Sequence, residues 1–111
     1  MIKLEMKLND EQIKKDSKHT AQEIYDALDK VFSKYGFQKT LTKDGTLTYL
    51  GTGQKTDYGS FANLVLFLKN KDWFLPYAEK WLWYNSDEGI NDEDYSIEDI
   101  LYHYANRRSI A

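Results

Sequence analysis

The chain has 111 residues, of which 41% are apolar and 15% aromatic, enough for one hydrophobic core and too few for two. It contains no cysteine, which excludes disulfide bonds and thiolate metal sites, and no apolar run approaches the roughly 20 residues that span a bilayer. A net charge of −3 excludes a strongly basic nucleic-acid footprint, and we expect a cytoplasmic protein that makes no contact with membranes.

The negative charge is concentrated in one segment of the chain. Residues 1–86 hold 13 lysines and 11 carboxylates, whereas residues 87–99 hold seven carboxylates and no base. Those carboxylates are Asp87, Glu88, Asp92, Glu93, Asp94, Glu98 and Asp99. We therefore divide the chain into a body over residues 1–86 and an acidic loop with a helix over residues 87–111, packed on the body or on a partner.

The first elements follow from hydrophobic periodicity. Apolar and polar residues alternate over residues 2–8, which predicts a strand with one buried face, followed by a polar connection to about Lys18. Thr20 and Glu23 have the spacing of a capping box, and apolar residues then recur at intervals of three and four up to Tyr35. Gly36 supplies the end of this predicted helix.

Two strands, over residues 37–42 and 46–51, are predicted around Lys43-Asp44-Gly45. A two-residue turn would pair apolar with polar side chains across the hairpin. A three-residue loop with Gly45 at positive φ instead pairs Leu41 with Leu47 and Lys39 with Tyr49, so we favour the longer loop.

A second helix is predicted after the loop over residues 51–57, ending near residues 70–72, with a short turn at Pro76. Residues 80–85 are predicted to form a fourth strand. Both faces of this strand carry large apolar side chains, so we expect it to be covered on both sides. Ser96 is predicted to start a final amphipathic helix whose first turn carries Glu98 and Asp99.

The element order β-α-β-β-α-β with a terminal helix is that of an α+β, ferredoxin-like split βαβ fold with an added C-terminal amphipathic helix. In that fold strand four lies at an edge of the sheet. Because exposed apolar edges are usually covered or paired, we expect a homodimer through strand four and the final helix. The expected interface residues are Trp81, Trp83, Tyr84, Ile100 and Tyr104.

Three segments resemble the virulence-associated protein D (VapD) family, which shares its fold with the small CRISPR-associated integration subunit. They are the helix end Tyr35-Gly36-Phe37, the strand Gly45-Thr46-Leu47-Thr48-Tyr49, and the end of the second helix with the corner after it, Leu66-Phe67-Leu68-Lys69 and Asp72-Trp73-Phe74. Thr46 stands where the family has serine, with one extra residue in that segment, and Asp72 replaces a proline. The resemblance covers roughly residues 2 to 85.

The resemblance implies a ribonuclease of toxin–antitoxin systems that works as a dimer, with an acidic residue at the end of strand one. Lys7 or Asn9 occupies that position here, and the nearest carboxylate is Asp10. Neither a lysine nor an amide binds magnesium or accepts a proton as a carboxylate does. Asp10 is therefore the catalytic candidate only if the protein is a ribonuclease, and magnesium is expected only in that case.

The histidines and the aromatic residues give weaker indications of function. The two histidines, His19 and His103, fall on different predicted elements without metal-ligand spacing, so no metal site is expected. The aromatic cluster of Trp73, Tyr77, Trp81, Trp83 and Tyr84 is typical either of base stacking by an RNA-binding antitoxin or regulator, or of core or dimer packing. We favour core or dimer packing, because base stacking needs flanking basic residues and only Lys71 and Lys80 lie near.

The acidic segment indicates the function that we favour. Closely spaced carboxylates can occupy the nucleic-acid groove of a basic protein, with fast and salt-sensitive association. The sequence-based hypothesis is thus a small mobile-element or phage-type VapD-like protein that acts by binding, as anti-CRISPR inhibitors do. A ribonuclease toxin and an RNA-binding antitoxin or regulator are the alternatives, and no cofactor is expected for a binding protein.

Overall fold

The computed structural model describes residues 1–87 and 94–109. Five strands form one sheet: β1 (Ile2–Leu8), β2 (Gln38–Leu41), β3 (Leu47–Leu50), β4 (Ala78–Asn85) and β5 (Ser96–Asp99). Four α-helices accompany it: α1 (Asp10–Asp16), α2 (Ala21–Ser33), α3 (Asp57–Leu68) and α4 (Ile100–Ala105). A 3-10 turn at Leu75–Tyr77 leads into β4.

The strand order is β2-β3-β1-β4-β5, and every neighbouring pair is antiparallel. The first four strands have the arrangement of a split βαβ fold, which confirms the predicted fold class. The expected edge position of β4 is wrong, because β5 pairs with its outer side from Leu82–Asp99 to Asn85–Ser96. A strand from the same chain therefore covers the edge on which the dimer prediction was based.

One face of the sheet carries the core. Ile2, Leu4, Met6 and Leu8 are buried along β1, and Leu4 lies between Tyr49 and Trp83 in the neighbouring strands. Met6 lies correspondingly between Leu47 and Trp81. Each such side chain, when fully buried, contributes about 1.5–3 kcal/mol to folding.

The helices cover that same face through aromatic contacts. The Phe32 ring of α2 stacks on Tyr49 with ring centroids 3.9 Å apart, and Phe61 of α3 stacks on Phe37 at 4.0 Å. Phe74 meets the edge of Trp81 at 5.0 Å. Leu82 and Tyr84 lie on the opposite face and are only half-buried, so the prediction that β4 is covered on both faces is wrong.

The hairpin has the predicted geometry. Lys39 pairs with Tyr49 and Leu41 with Leu47, around a loop in which Gly45 has a φ of 87°. Gly36, after α2, also has a positive φ, of 74°, as its predicted role at the end of the helix requires.

Two segments differ from the prediction. The polar connection contains α1, in which the Asn9 side chain accepts a hydrogen bond from the Gln12 amide and only Ile13 is buried. The final helix starts at Ile100 with Asp99 as its N-cap, three residues after the predicted N-cap Ser96, because residues 96–99 join the sheet as β5. Strand pairing satisfies backbone groups that a first helical turn would leave free.

Candidate partner-binding groove

Helix α3 presents apolar side chains on the side that faces away from the core. Tyr58 and Leu66 are 58% and 49% exposed, and Ala62 lies between them at helical spacing. Phe61, Leu64 and Leu68 of the same helix are buried. Neighbouring apolar side chains that stay exposed are typical of interaction surfaces, so this row is a candidate for one.

This row forms one wall of a groove with a volume of about 350 Å³. Strands β4 and β5 contribute Trp83, Asn85, Ser96 and Glu98, and α4 contributes His103 and Tyr104. Trp83 is held in place by the edges of two α3 rings, with centroids 5.5 Å from Tyr58 and 6.1 Å from Phe61. The groove therefore combines apolar side chains and polar groups in similar measure, with Asn85, Ser96, Glu98 and His103 as its polar residues.

Glu98 is the acidic group of the groove. Its side chain belongs to an exposed residue of β5 and lies opposite Trp83 in the strand register. Asp94 is also exposed, four residues before Glu98. The apolar surface is thus bordered by negative charge from the acidic segment.

The other predicted partner-binding carboxylates divide into two groups. Asp87 accepts a hydrogen bond from the Met1 amino group at 2.5 Å, and Asp99 caps α4 and accepts two hydrogen bonds from Ser109. Both therefore have structural contacts within the chain. Glu88, Asp92 and Glu93 lie outside the described residues.

The five expected dimer-interface residues do not form one exposed surface. Trp81 is fully buried and Ile100 is 3% exposed, since both belong to the core. Trp83 and Tyr104 are half-buried and line the groove, whereas Tyr84 lies on the opposite face of the sheet. Within the aromatic cluster, Trp81 and Tyr77 are buried, as core packing predicts, whereas Trp73, Trp83 and Tyr84 are half-buried.

Asp10, the catalytic candidate of the ribonuclease alternative, is the first residue of α1. Its Oδ1 accepts a hydrogen bond from the Tyr25 hydroxyl at 3.0 Å. Burial of the phenol, together with the neighbouring Asp10, raises the pKa of Tyr25 to about 12. Asp10 and His19 line one cavity between α1 and α2, while His103 lies in the groove, so the two histidines belong to different sites.

The sheet face without helices carries a network of paired charges. Lys3 Nζ lies 4.6 Å from the Tyr84 ring centroid and 4.8 Å from that of Tyr95. Burial, followed by the nearby Glu5 carboxylate, raises the pKa of the Tyr84 phenol. Glu5 also lies 3.8 Å from Lys80 Nζ. These internal pairings leave this face less available to a charged partner than the groove.

Sequence reasoning missed the groove because its walls come from distant segments. One signal was present, since Leu66 and Phe67 widen the apolar side of α3 beyond what a single core-facing stripe needs.

Within residues 1–87 and 94–109, no three His, Asp or Glu side chains lie together as a metal site would require. In the same ranges no helix is long and apolar enough to cross a membrane.

No protein-family model, no curated protein and no solved structure matches this chain. The resemblance to the VapD family therefore stays a prediction, and the groove has to be interpreted from its own geometry.

Proposed function

We propose that this protein acts by binding another protein, and that its α3–α4 groove receives a basic, apolar segment of that partner. The observation that carries the proposal is the exposed row of Tyr58, Ala62 and Leu66 beside the carboxylate of Glu98. Apolar contacts in the groove supply affinity, and the carboxylate selects a lysine or arginine near the bulky residues of the partner.

The groove also favours a helical segment as its occupant. Side chains four residues apart on α3 form a ridge, and ridges of this kind pack into the grooves of a second helix. On the same face of the sheet, α2 and α3 already pack against the strands as helices. An amphipathic helix with its apolar residues at intervals of three and four would extend that layer over Trp83.

Charge argues against a second copy of this chain in the groove. In a symmetric dimer, Glu98 and the acidic segment of one copy would approach those of the other, and like charges in close contact are unfavourable. A basic partner has no such cost. Blocking a nucleic-acid-binding protein of a defence system is the finer form of this proposal, because such proteins present basic surfaces.

The test is a comparison of variants in a pulldown from a host lysate at two salt concentrations. Leu66→Ser removes an apolar contact of the groove, and Glu98→Gln removes its charge. Leu41→Ser is the matched control, because Leu41 is 61% exposed on β2, far from the groove in the sheet order.

We expect a protein that wild type and Leu41→Ser retain, that both groove variants lose, and whose binding weakens at high salt. The purified partner should show the same ranking in a direct binding assay. If wild type and all three variants retain the partner equally, the groove is not its binding site. Sedimentation in which only Leu66→Ser loses a dimer would assign the groove to a second copy instead.

The ribonuclease alternative has one specific observation in its favour, namely that Asp10 and His19 line the same cavity. A carboxylate and an imidazole are suitable groups for proton transfer in phosphodiester cleavage. Incubation of RNA with and without magnesium, with Asp10→Ala and the exposed control Asp72→Ala, separates the two functions. Cleavage that only Asp10→Ala abolishes would contradict a function by binding alone.

A further inference from the structure

The cavity between α1 and α2 is separate from the groove and has a volume of about 580 Å³. That volume is within the range of roughly 300–1,000 Å³ that small-molecule sites occupy. Its lining includes Ile13, Lys14, Lys18, His19 and Ala21. The cavity thus combines two apolar side chains with basic and imidazole groups.

Lys14 and Lys18 are the two ammonium groups of this cavity. Both residues are exposed, and neither forms an ion pair with a carboxylate in residues 1–87 and 94–109. By contrast, Lys7, Lys39 and Lys80 each lie within 4.0 Å of a carboxylate oxygen. The two ammonium groups at the cavity are therefore available to an anion.

Two carboxylates also line the cavity, but both already accept hydrogen bonds from within the chain. Asp10 accepts one from Tyr25, and Glu23 Oε1 accepts bonds from the Thr20 amide at 3.3 Å and the Thr20 hydroxyl at 3.1 Å. These bonds hold the carboxylates in α1 and in the capping box of α2. The free hydrogen-bond donors of the cavity are consequently those of the lysines, with the half-buried His19 beside them.

The apolar side chains indicate a ligand with more than a charge. Ile13 is 1% exposed and belongs to the core, so the accessible apolar patch of the cavity is formed by the half-buried Ala21 and the methylene chains of Lys14 and Lys18. A phosphate alone would leave that patch in contact with water. A phosphate joined to a flat, weakly polar ring would cover the patch while the lysines bind its oxygens.

We propose that the α1–α2 cavity binds a small phosphorylated molecule of nucleotide size. Lys14 and Lys18 hold the phosphate, and the ring lies on Ala21 with His19 alongside. This site does not depend on the groove, and binding of a mononucleotide is distinct from cleavage of RNA.

The test uses adenosine monophosphate, adenosine and inorganic phosphate as probes, with binding followed by calorimetry and by amide chemical shifts. Lys14→Gln and Lys18→Gln each remove one charge from the cavity. Lys34→Gln is the matched control, because Lys34 is exposed beyond the far end of α2. Circular dichroism checks that all three variants keep the fold.

We expect the mononucleotide to bind with shifts at residues 13–21, and each cavity variant to weaken it about tenfold or more, as a lost charged hydrogen bond does. Lys34→Gln should bind as wild type does, and adenosine should bind at least about tenfold more weakly than its monophosphate.

Three results would overturn the proposal. Equal affinity for adenosine and its monophosphate would remove the role of the phosphate. An equal loss of affinity in Lys34→Gln would show that the mononucleotide is attracted by the positive charges of the protein in general and not by the cavity. No binding of the mononucleotide at millimolar concentration, or shifts located elsewhere in the chain, would show that the cavity is not a site for this class of ligand.

Discussion

Asp99 and Ser109 are joined by two hydrogen bonds across the last helix. Asp99 Oδ1 accepts from the Ser109 hydroxyl at 2.7 Å, and Oδ2 accepts from the Ser109 amide at 2.8 Å. The same hydroxyl oxygen lies 3.0 Å from the Trp81 amide, from which it accepts a hydrogen bond. The Asp99 carboxylate therefore caps the start of α4. Through Ser109 it also connects the segment after α4 to β4.

Replacing Asp99 should destabilise the fold more than replacing its neighbour in the acidic segment. Asp99→Ala loses a helix cap and two charged hydrogen bonds, so we expect the free energy of unfolding to fall by about 1–3 kcal/mol. Glu98→Ala, at an exposed position, should change it by no more than about 0.5 kcal/mol. Urea denaturation of both variants measures this, and similar losses would show that Asp99 has no special structural role.

The Asp99 contacts also predict a dependence of stability on pH. Burial alone would raise the pKa of Asp99, but hydrogen bonds from Ser109, Tyr102 and Leu101 outweigh it and hold the pKa below its usual value. Above the unfolded value of about 3.9, the stabilisation is complete, and it is lost as the pH falls through the lower folded pKa. The stability difference between wild type and Asp99→Asn should therefore shrink only below about pH 4. A difference that stays constant down to about pH 2 would contradict this assignment.

Gly51 should tolerate no side chain. A Cβ at this position would lie 2.7 Å from Asp57 Oδ2 and 2.9 Å from the Ile2 carbonyl oxygen. Asp57 cannot move away freely, because it is buried and accepts hydrogen bonds from Thr52 Oγ1 at 2.6 Å and from the Gly53 amide at 2.8 Å. We expect Gly51→Ala to lower the free energy of unfolding by about 1–3 kcal/mol.

Gly59 provides the control for that substitution. It lies inside α3, where an added methyl group would meet nothing within 4 Å beyond the backbone of its own helix, and alanine is the better helix former. Gly59→Ala should therefore stabilise the protein by about 0.5–1 kcal/mol. Thermal and urea unfolding of the two variants should show changes of opposite sign, and a stable Gly51→Ala would refute the close approach.

The half-buried phenol of Tyr25 and the buried phenol of Tyr49 should ionise at unusually high pH and weaken the fold there. The pKa of Tyr25 is raised to about 12, and burial with the Asp29 carboxylate, 2.9 Å from the hydroxyl, raises that of Tyr49 further. Because the unfolded phenols ionise near pH 10, stability should fall as the pH rises from about 10 to 12. Ultraviolet titration of wild type, Tyr25→Phe and Tyr49→Phe should assign the late steps. Ionisation of all nine tyrosines near pH 10 would contradict the raised pKa values of Tyr25 and Tyr49.

Leu64 and Leu66 should separate core packing from partner binding on one helix. Leu64 is 4% exposed, so Leu64→Ala should lower the free energy of unfolding by about 2–5 kcal/mol. Leu66 is 49% exposed, and Leu66→Ala should change it by no more than about 0.5 kcal/mol. A large loss in Leu66→Ala would mean that the groove wall serves the fold and is not reserved for a partner.

Elements with local signals could be predicted from the sequence, and the candidate site could not. The alternation in β1, the capping box at Thr20 and the apolar pairing of Leu41 with Leu47 each depend on residues close in the chain. Helix α1 was missed because Ile13 is its only buried residue, which leaves no periodicity to detect. The groove needed α3, β4, β5 and α4 to be placed side by side, which no single stretch encodes.

The sequence by itself determined the split βαβ order, the burial of one face of β1 and the concentration of acid in residues 87–99. These properties follow from side-chain period and composition, which are local. Only the tertiary structure decided that Ser96–Asp99 pairs with β4, because strand pairing depends on hydrogen bonds between distant segments. That pairing covers the expected dimer edge, makes Asp99 a structural residue, and brings Glu98 beside Trp83 as the acidic side of a groove.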